Sequence, residues 1–208
     1  MFLYILRRIN LLLITLLALT FVAYLLDVRL IGQQASFWSG YPDFLRRILD
    51  GDLGLSSVSG LPVLDEIRHY FPATLILCVA AFAISLLVGI PLGTLAALSQ
   101  GKPLDLTIMT AGLIGYAVPV FWLALLVVMF FSLDLGWLPA SGQISLLYDV
   151  PSITGIALID VLMSHEPWRQ AALHDALRHL ILPSLVLAVV PTTEVIRHVR
   201  SSLIDVMK

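Results

Sequence analysis

The chain has 208 residues, of which 59% are hydrophobic and 12% charged, with a formal net charge of -2 at pH 7. A soluble domain carries about 25% charged residues. Half that load, gathered into long uncharged runs, excludes an ordinary soluble globule and indicates an integral membrane protein. The small net charge argues nothing about partners, but neither basic blocks nor interleaved aromatics suggest nucleic-acid binding, and the single cysteine, Cys78, excludes an intrachain disulfide or a CxxC framework.

In chain order, residues 1–8 are a short basic start ending in Arg7 and Arg8, and residues 9–26 are uncharged. About 18 residues make about 27 Å of helix. A cleaved signal peptide has an apolar core of about 7–15 residues followed by a small-residue site. This run is longer and leads into Leu26-Asp27-Val28-Arg29-Leu30, so residues 1–26 read as a tail and a first transmembrane helix. Residues 27–72 are polar enough to lie outside the membrane. Within them, residues 42–50 put Phe44, Leu45, Ile48 and Leu49 on one helical face and Arg46, Arg47 and Asp50 on the other. Gly51, Gly54 and Gly60 then mark a loop. Pro62 opens a second short helix through Tyr70, with Asp65 and Glu66 near its positive end.

Residues 73–133 organise the rest. The runs 73–99 and 106–133 contain no charged residue, and each forms about 40 Å of helix against a hydrocarbon core about 30 Å thick. Both are predicted to span with some tilt, as a hairpin closed by Gln100-Gly101-Lys102-Pro103-Leu104-Asp105. A buried hairpin of a soluble protein is disfavoured, because so short a chain has too little polar surface to cover two such rods.

Residues 134–179 form a further segment outside the membrane. Leu135-Gly136-Trp137-Leu138-Pro139 reads as a membrane exit with Trp137 as an interface anchor. The apolar run 153–163 is too short to span and fits a re-entrant or interfacial helix. Residues 168–179 lead into a last span over 180–196, closed by Arg197, His198 and Arg200, with a tail to 208. Four spans put both termini on one side. Of 12 Lys and Arg, Arg7, Arg8, Lys102, Arg197, Arg200 and Lys208 fall on that side, in far fewer residues than the other six. The higher density places both termini in the cytoplasm.

Chemistry-bearing residues are few. His69, His165, His174, His179 and His198 make no metal-ligand spacing and read as solvated or interfacial; no metal or other cofactor is expected. Ser141, in Ala140-Ser141-Gly142, is the serine that an intramembrane hydrolase would use, but it sits at a water-facing exit. No GxxxxGK[ST] occurs, so any nucleotide is bound elsewhere. Glu194 reads first as a helical partner of Arg197 or His198, and alternatively as a cation contact on a translocation path. Gly89-Ile90-Pro91-Leu92-Gly93, with Gly112, Gly115 and Pro119 in the next run, supplies the small residues and joints of closely packed helices. The expected fold is all-α, a polytopic membrane helix bundle.

Several segments resemble the first permease subunit of the dipeptide/oligopeptide/nickel class of ABC transporters. They are Leu6-Arg7-Arg8, Gly51-Asp52-Leu53-Gly54 with Pro62-Val63, Phe71-Pro72-Ala73-Thr74, residues 89–93, 118–123 and 135–142, His179-Leu180-Ile181-Leu182-Pro183, and Arg200-Ser201-Ser202. Residues 148–168 and 191–197 resemble the Sap type, linked to antimicrobial-peptide handling and putrescine export. The resemblance implies a MetI-like fold with six spans and an inner-membrane location. It also implies a second permease as heterodimer partner, two ATPase subunits and an external solute-binding protein, the chain itself not being an enzyme. It places the start of the cytoplasmic EAA loop near residue 208, so four of six spans are expected within this sequence. A non-transporting membrane scaffold and an inactive truncated permease are the alternatives.

Overall fold

A computed structural model describes residues 2–31 and 40–207. Its helices are α1 (Phe2–Ile31), α2 (Gly40–Leu49), α3 (Val63–Leu98), α4 (Pro103–Ala117), α5 (Val120–Val128) running into a π-helical turn (Met129–Asp134), α6 (Ala157–Met163) and α7 (Arg169–Met207). Apart from an isolated bridge between Leu55 and Pro62, the described residues contain no β structure. The chain forms two compact units, Met1–Arg68 and His69–Lys208.

In the first unit α2 lies against α1. Tyr24 is buried (2% exposed) among Phe44, at 5.5 Å between ring centroids, and Tyr41, at 5.7 Å, and Phe21 meets Tyr41 edge-on at 5.3 Å. The Thr20 and Tyr41 hydroxyls are 2.9 Å apart. These aromatics hold the apolar face of the amphipathic helix, while Arg46 and Asp43 on its other face are exposed. Most of α1 remains exposed, with Leu12, Ile14 and Leu19 on different sides. A helix apolar all round is suited to lipid.

The second unit is built on α7, whose 39 residues make about 58 Å of helix. Its inward face mixes small residues, Ala172, Ala176, Ser184 and Ala188, with His179, Leu182, Val186, Thr193 and Ile196. The buried positions of α3 are all small as well, and Ala81, Ser85, Gly89, Gly93 and Ala97 recur every fourth residue. Such ladders let helices approach closely where lipid offers no hydrophobic drive to associate. The GxxxG at 89–93 is thus the centre of a longer stripe.

Two expectations change. The short helix from Pro62 and the span from 73 are one helix, because Pro72 lies inside α3 without ending it. Residues 169–179 lead into the last span within one helix, with Pro183 and Pro191 inside α7. The run 106–133, by contrast, is not one rod. Val118 before Pro119 is extended (φ -81°, ψ 126°), since the pyrrolidine ring disfavours helical backbone in the residue ahead of it. The helix stops at Ala117, restarts at Val120, and turns by 95°. Three helices, α1, α3 and α7, are long and apolar enough to cross a membrane, and a fourth crossing exists if the bent pair is one span. The apolar run 153–163 is helical only over α6; Gly155 (φ 78°) takes the turn before it.

Candidate functional site

Four of the singled-out glycines, from α3 and α4, pack against α7. A Cβ on Gly89 would come within 2.7 Å of Val195 Cγ1 and 3.2 Å of the Thr192 carbonyl. One on Gly93 would come within 2.8 Å of Val199 Cβ and 2.9 Å of the Ile196 carbonyl. From α4, Gly112 faces Thr193 and Gly115 faces Val189, at 3.2 and 2.9 Å by the same measure. Thr193 Oγ1 donates to the Gly112 carbonyl (3.2 Å) and to its own Val189 carbonyl (3.1 Å). Pro91 stands between the two α3 glycines, inside a continuous helix, and Pro119 forms the α4–α5 corner. α3 and α4 therefore meet the same stretch of α7, residues 189–199, through positions that admit no side chain.

At the end near the α3–α4 turn, a charged clasp ties that turn to α7. Arg200 donates from Nε to Asp105 Oδ1 (2.7 Å) and from Nη2 to Oδ2 (2.8 Å), and the Gly101 N–H donates to Oδ2 at 3.0 Å. Asp105 is 5% exposed. This two-pronged geometry uses the fixed fork of the guanidinium and is the strong form of ion pair. Sequence reasoning placed Asp105 in a turn and Arg200 at the close of the last span and did not join them. The available signal was one acid and one base at the ends of adjoining apolar runs. Glu194 lies six residues earlier, with Arg197 Nη1 at 3.5 Å from Oε1 and His198 Nδ1 at 3.9 Å from Oε2. Those are the helical partners its spacing suggested.

At the other end, the segment 135–168 is tied to α7 and to itself. Arg178 donates to the carbonyl of Trp137, whose ring is exposed and lies 6.1 Å from that of Phe131. Ser145 donates from its N–H (2.7 Å) and its hydroxyl (2.9 Å) to the Asp175 carboxylate. Gln143 donates to the Gly155 carbonyl (3.3 Å) and accepts from the Ala157 N–H (3.0 Å). Buried Asp160 accepts from the Thr154 N–H (2.8 Å) and hydroxyl (2.7 Å). Asp160→Ala leaves both donors without their partner, a loss of about 1–3 kcal/mol confined to this segment. Its expected outcome is faster protease cleavage between 143 and 157 with unchanged helical content by circular dichroism.

His179 corrects the reading of all five histidines as solvated or interfacial. It is buried (8% exposed), its Nδ1 donates to the Asp175 carbonyl at 2.9 Å, and the Asp175 carboxylate lies 3.5 Å away. The signal was an Asp and a His four residues apart on one helical face. His179 and Ser141 both border a cavity of about 270 Å³, but no hydrogen bond joins them, and the ring nitrogen nearer α7 is committed to Asp175. Among the described residues no group of three metal-ligating side chains comes together.

Residues 89–208, which hold the α7 seam, the clasp and the tied segment, match the family described as "Binding-protein-dependent transport system inner membrane component". The chain is 46% identical over 209 residues to the "Putrescine export system permease protein SapB" of Escherichia coli (strain K12), an alignment covering 99% of this chain and 65% of the relative. It is equally similar, over the same shares, to the "Peptide transport system permease protein SapB" of Salmonella typhimurium (strain LT2). With the "Di/tripeptide transport system permease protein DppB" of Pseudomonas aeruginosa (strain UCBPP-PA14) it shares 39% identity over 178 residues, 86% of this chain and 52% of the relative. The chain thus spans about two thirds of the SapB relatives and about half of the DppB relative. By the match over 89–208, the chain is a multi-pass inner-membrane protein that belongs to the binding-protein-dependent transport system inner membrane component family.

Proposed function

We propose that the chain acts as a transmembrane permease subunit of a Sap-type ABC transporter, moving peptides (antimicrobial peptides among them) or putrescine across the inner membrane. The observation that carries this is the 46% identity to SapB relatives over nearly the whole chain. The partners are a second permease, two ATPase subunits that supply the energy, and a solute-binding protein that delivers or receives cargo. Both termini face the cytoplasm in this reading, which sets the Asp105–Arg200 clasp on the ATPase side and the tied segment on the outer side; the density of Lys and Arg near the termini supports it. Helices joined by side-chain-free seams and cornered at Pro119 are suited to the small rigid-body shifts by which a transporter alternates access.

Deletion of the coding sequence from its host tests the reading. The expected result is loss of putrescine efflux or of peptide uptake; unchanged rates of both overturn it. Glu194 has a role on the path only if its charge is felt by cargo beyond its ion pairs. Glu194→Gln at the native locus is then expected to slow putrescine efflux by about tenfold and leave uptake of a neutral peptide unchanged, measured with labelled substrates. Equal rates for variant and parent reduce Glu194 to a partner of Arg197.

A further inference from the structure

The half-open cavity of about 270 Å³ beside His179 is bordered by α3, α5, α6, α7 and the segment Pro139 to Gln143. Its walls are apolar, with Ile76, Leu77, Val127, Val128, Leu182 and Val186, and no Asp, Glu, Lys or Arg borders it. Two polar side chains border it with capacity left. Gln143 is not one of them, since both ends of its amide are used on Gly155 and Ala157. The Ser141 hydroxyl makes no hydrogen bond among the described residues. His179 is the other, and it is more than nine-tenths buried. A carbonyl can only accept, so the bond to Asp175 puts the proton on Nδ1. In the neutral ring Nε2 is then an acceptor without a partner. The ring edge carrying Nε2 and Cδ2 is the one turned to the tied segment, where a Cβ on Gly142 would lie 3.9 Å from Cδ2.

We propose that this cavity is a binding site for a neutral group with an apolar body and an N–H or O–H donor, and specifically for one apolar residue of a peptide, donating to His179 Nε2. The volume is just under the range of about 300–1,000 Å³ used by small-molecule pockets, which suits one side chain and not a folded peptide. A diamine such as putrescine is excluded by chemistry: its ammonium groups would be buried with no carboxylate on the wall. The site so defined sorts the two cargo classes of the permease reading in favour of peptide. It rests on that reading only for the origin of the ligand, because binding is measured on the isolated chain.

The test uses the full chain in lipid nanodiscs, titrated with N-acetyl-para-fluorophenylalaninamide and followed by fluorine NMR. Saturable binding that excess putrescine does not displace is expected. His179→Leu removes the acceptor and weakens binding about fivefold, the worth of one hydrogen bond. His179→Gln, whose amide oxygen reaches the Nε2 position, restores it to within about twofold. Ala124→Phe fills the cavity and abolishes binding, and Leu147→Ala on the exposed loop leaves it unchanged. If Ala124→Phe does not fold, the His179 pair decides. Equal affinities in parent and His179→Leu overturn the proposal, as does displacement of the probe by putrescine. So does displacement by a donor-less alkane, because the cavity is then a lipid-chain slot. Should host deletion leave transport unchanged while this titration holds, the permease reading fails and the site stands.

Discussion

Gly93→Ala is expected to lower the thermal stability of the detergent-solubilised chain more than any other single methyl addition in the second unit. The new Cβ would lie 2.8 Å from Val199 Cβ and 2.9 Å from the Ile196 carbonyl. Both atoms are held by the α7 backbone and move only with the helix; the part of Val199 that can turn or be truncated is Cγ1, 3.1 Å from the new Cβ. Forcing closely packed helices apart costs about 1–3 kcal/mol, and the small-residue ladder of α3 spreads the displacement to Gly89 and Ala97. Heating followed by size-exclusion chromatography reads the loss as a fall in the surviving monodisperse fraction. Val199→Ala in the same chain recovers part of it and not all, because the contacts to the residue-199 Cβ and to the Ile196 carbonyl remain. Leu113→Ala, on a largely exposed position of α4, serves as the comparison and changes stability little. Full rescue by Val199→Ala would show that the backbones are not in contact at this point.

Arg200→Ala is the second large effect. It leaves the Asp105 carboxylate buried with the Gly101 N–H as its one remaining donor. Removing one partner of an ion pair held away from water damages far more than the pair itself contributes relative to an apolar replacement, because the other charge is left uncompensated. Arg200 retains some exposure, its side chain 26% open against 7% for Asp105, so water relieves part of the loss and the expected outcome is a clear fall in the heat-surviving fraction. Arg200→Lys keeps the charge and loses the two-pronged geometry, so it recovers only part of the loss. Asp105→Asn with Arg200→Ala is expected to be milder than Arg200→Ala alone, because no uncompensated charge is left inside. A double-mutant cycle on heat-survival measurements checks the coupling; simple additivity of the two substitutions would show that the carboxylate and guanidinium do not depend on each other.

Segment by segment, much of this protein was legible without coordinates. The amphipathic helix carrying Phe44 and Arg47 and the long apolar helices are properties of short windows of chain, set by composition and period. Transfer into lipid depends on a segment's length and charge, which are also local. The sequence likewise pointed to Gly89, Gly93, Gly112 and Gly115 as places of close approach. Local reasoning was less sure of proline, which ends a helix at Pro119 and runs through α3 and α7 at Pro72, Pro91, Pro183 and Pro191.

By itself, then, the sequence determined that this chain is all-helical and lives in a membrane, because uncharged runs of such length are tolerated only there. The tertiary structure alone decided which surfaces meet. It chose α7 as the partner of both glycine-bearing helices and joined Asp105 to Arg200 across 95 residues. It also turned the second apolar run through 95° and enclosed His179 with an unused ring nitrogen. These depend on where helices cross, and a crossing is set by the mutual fit of two distant surfaces, which neither segment carries alone.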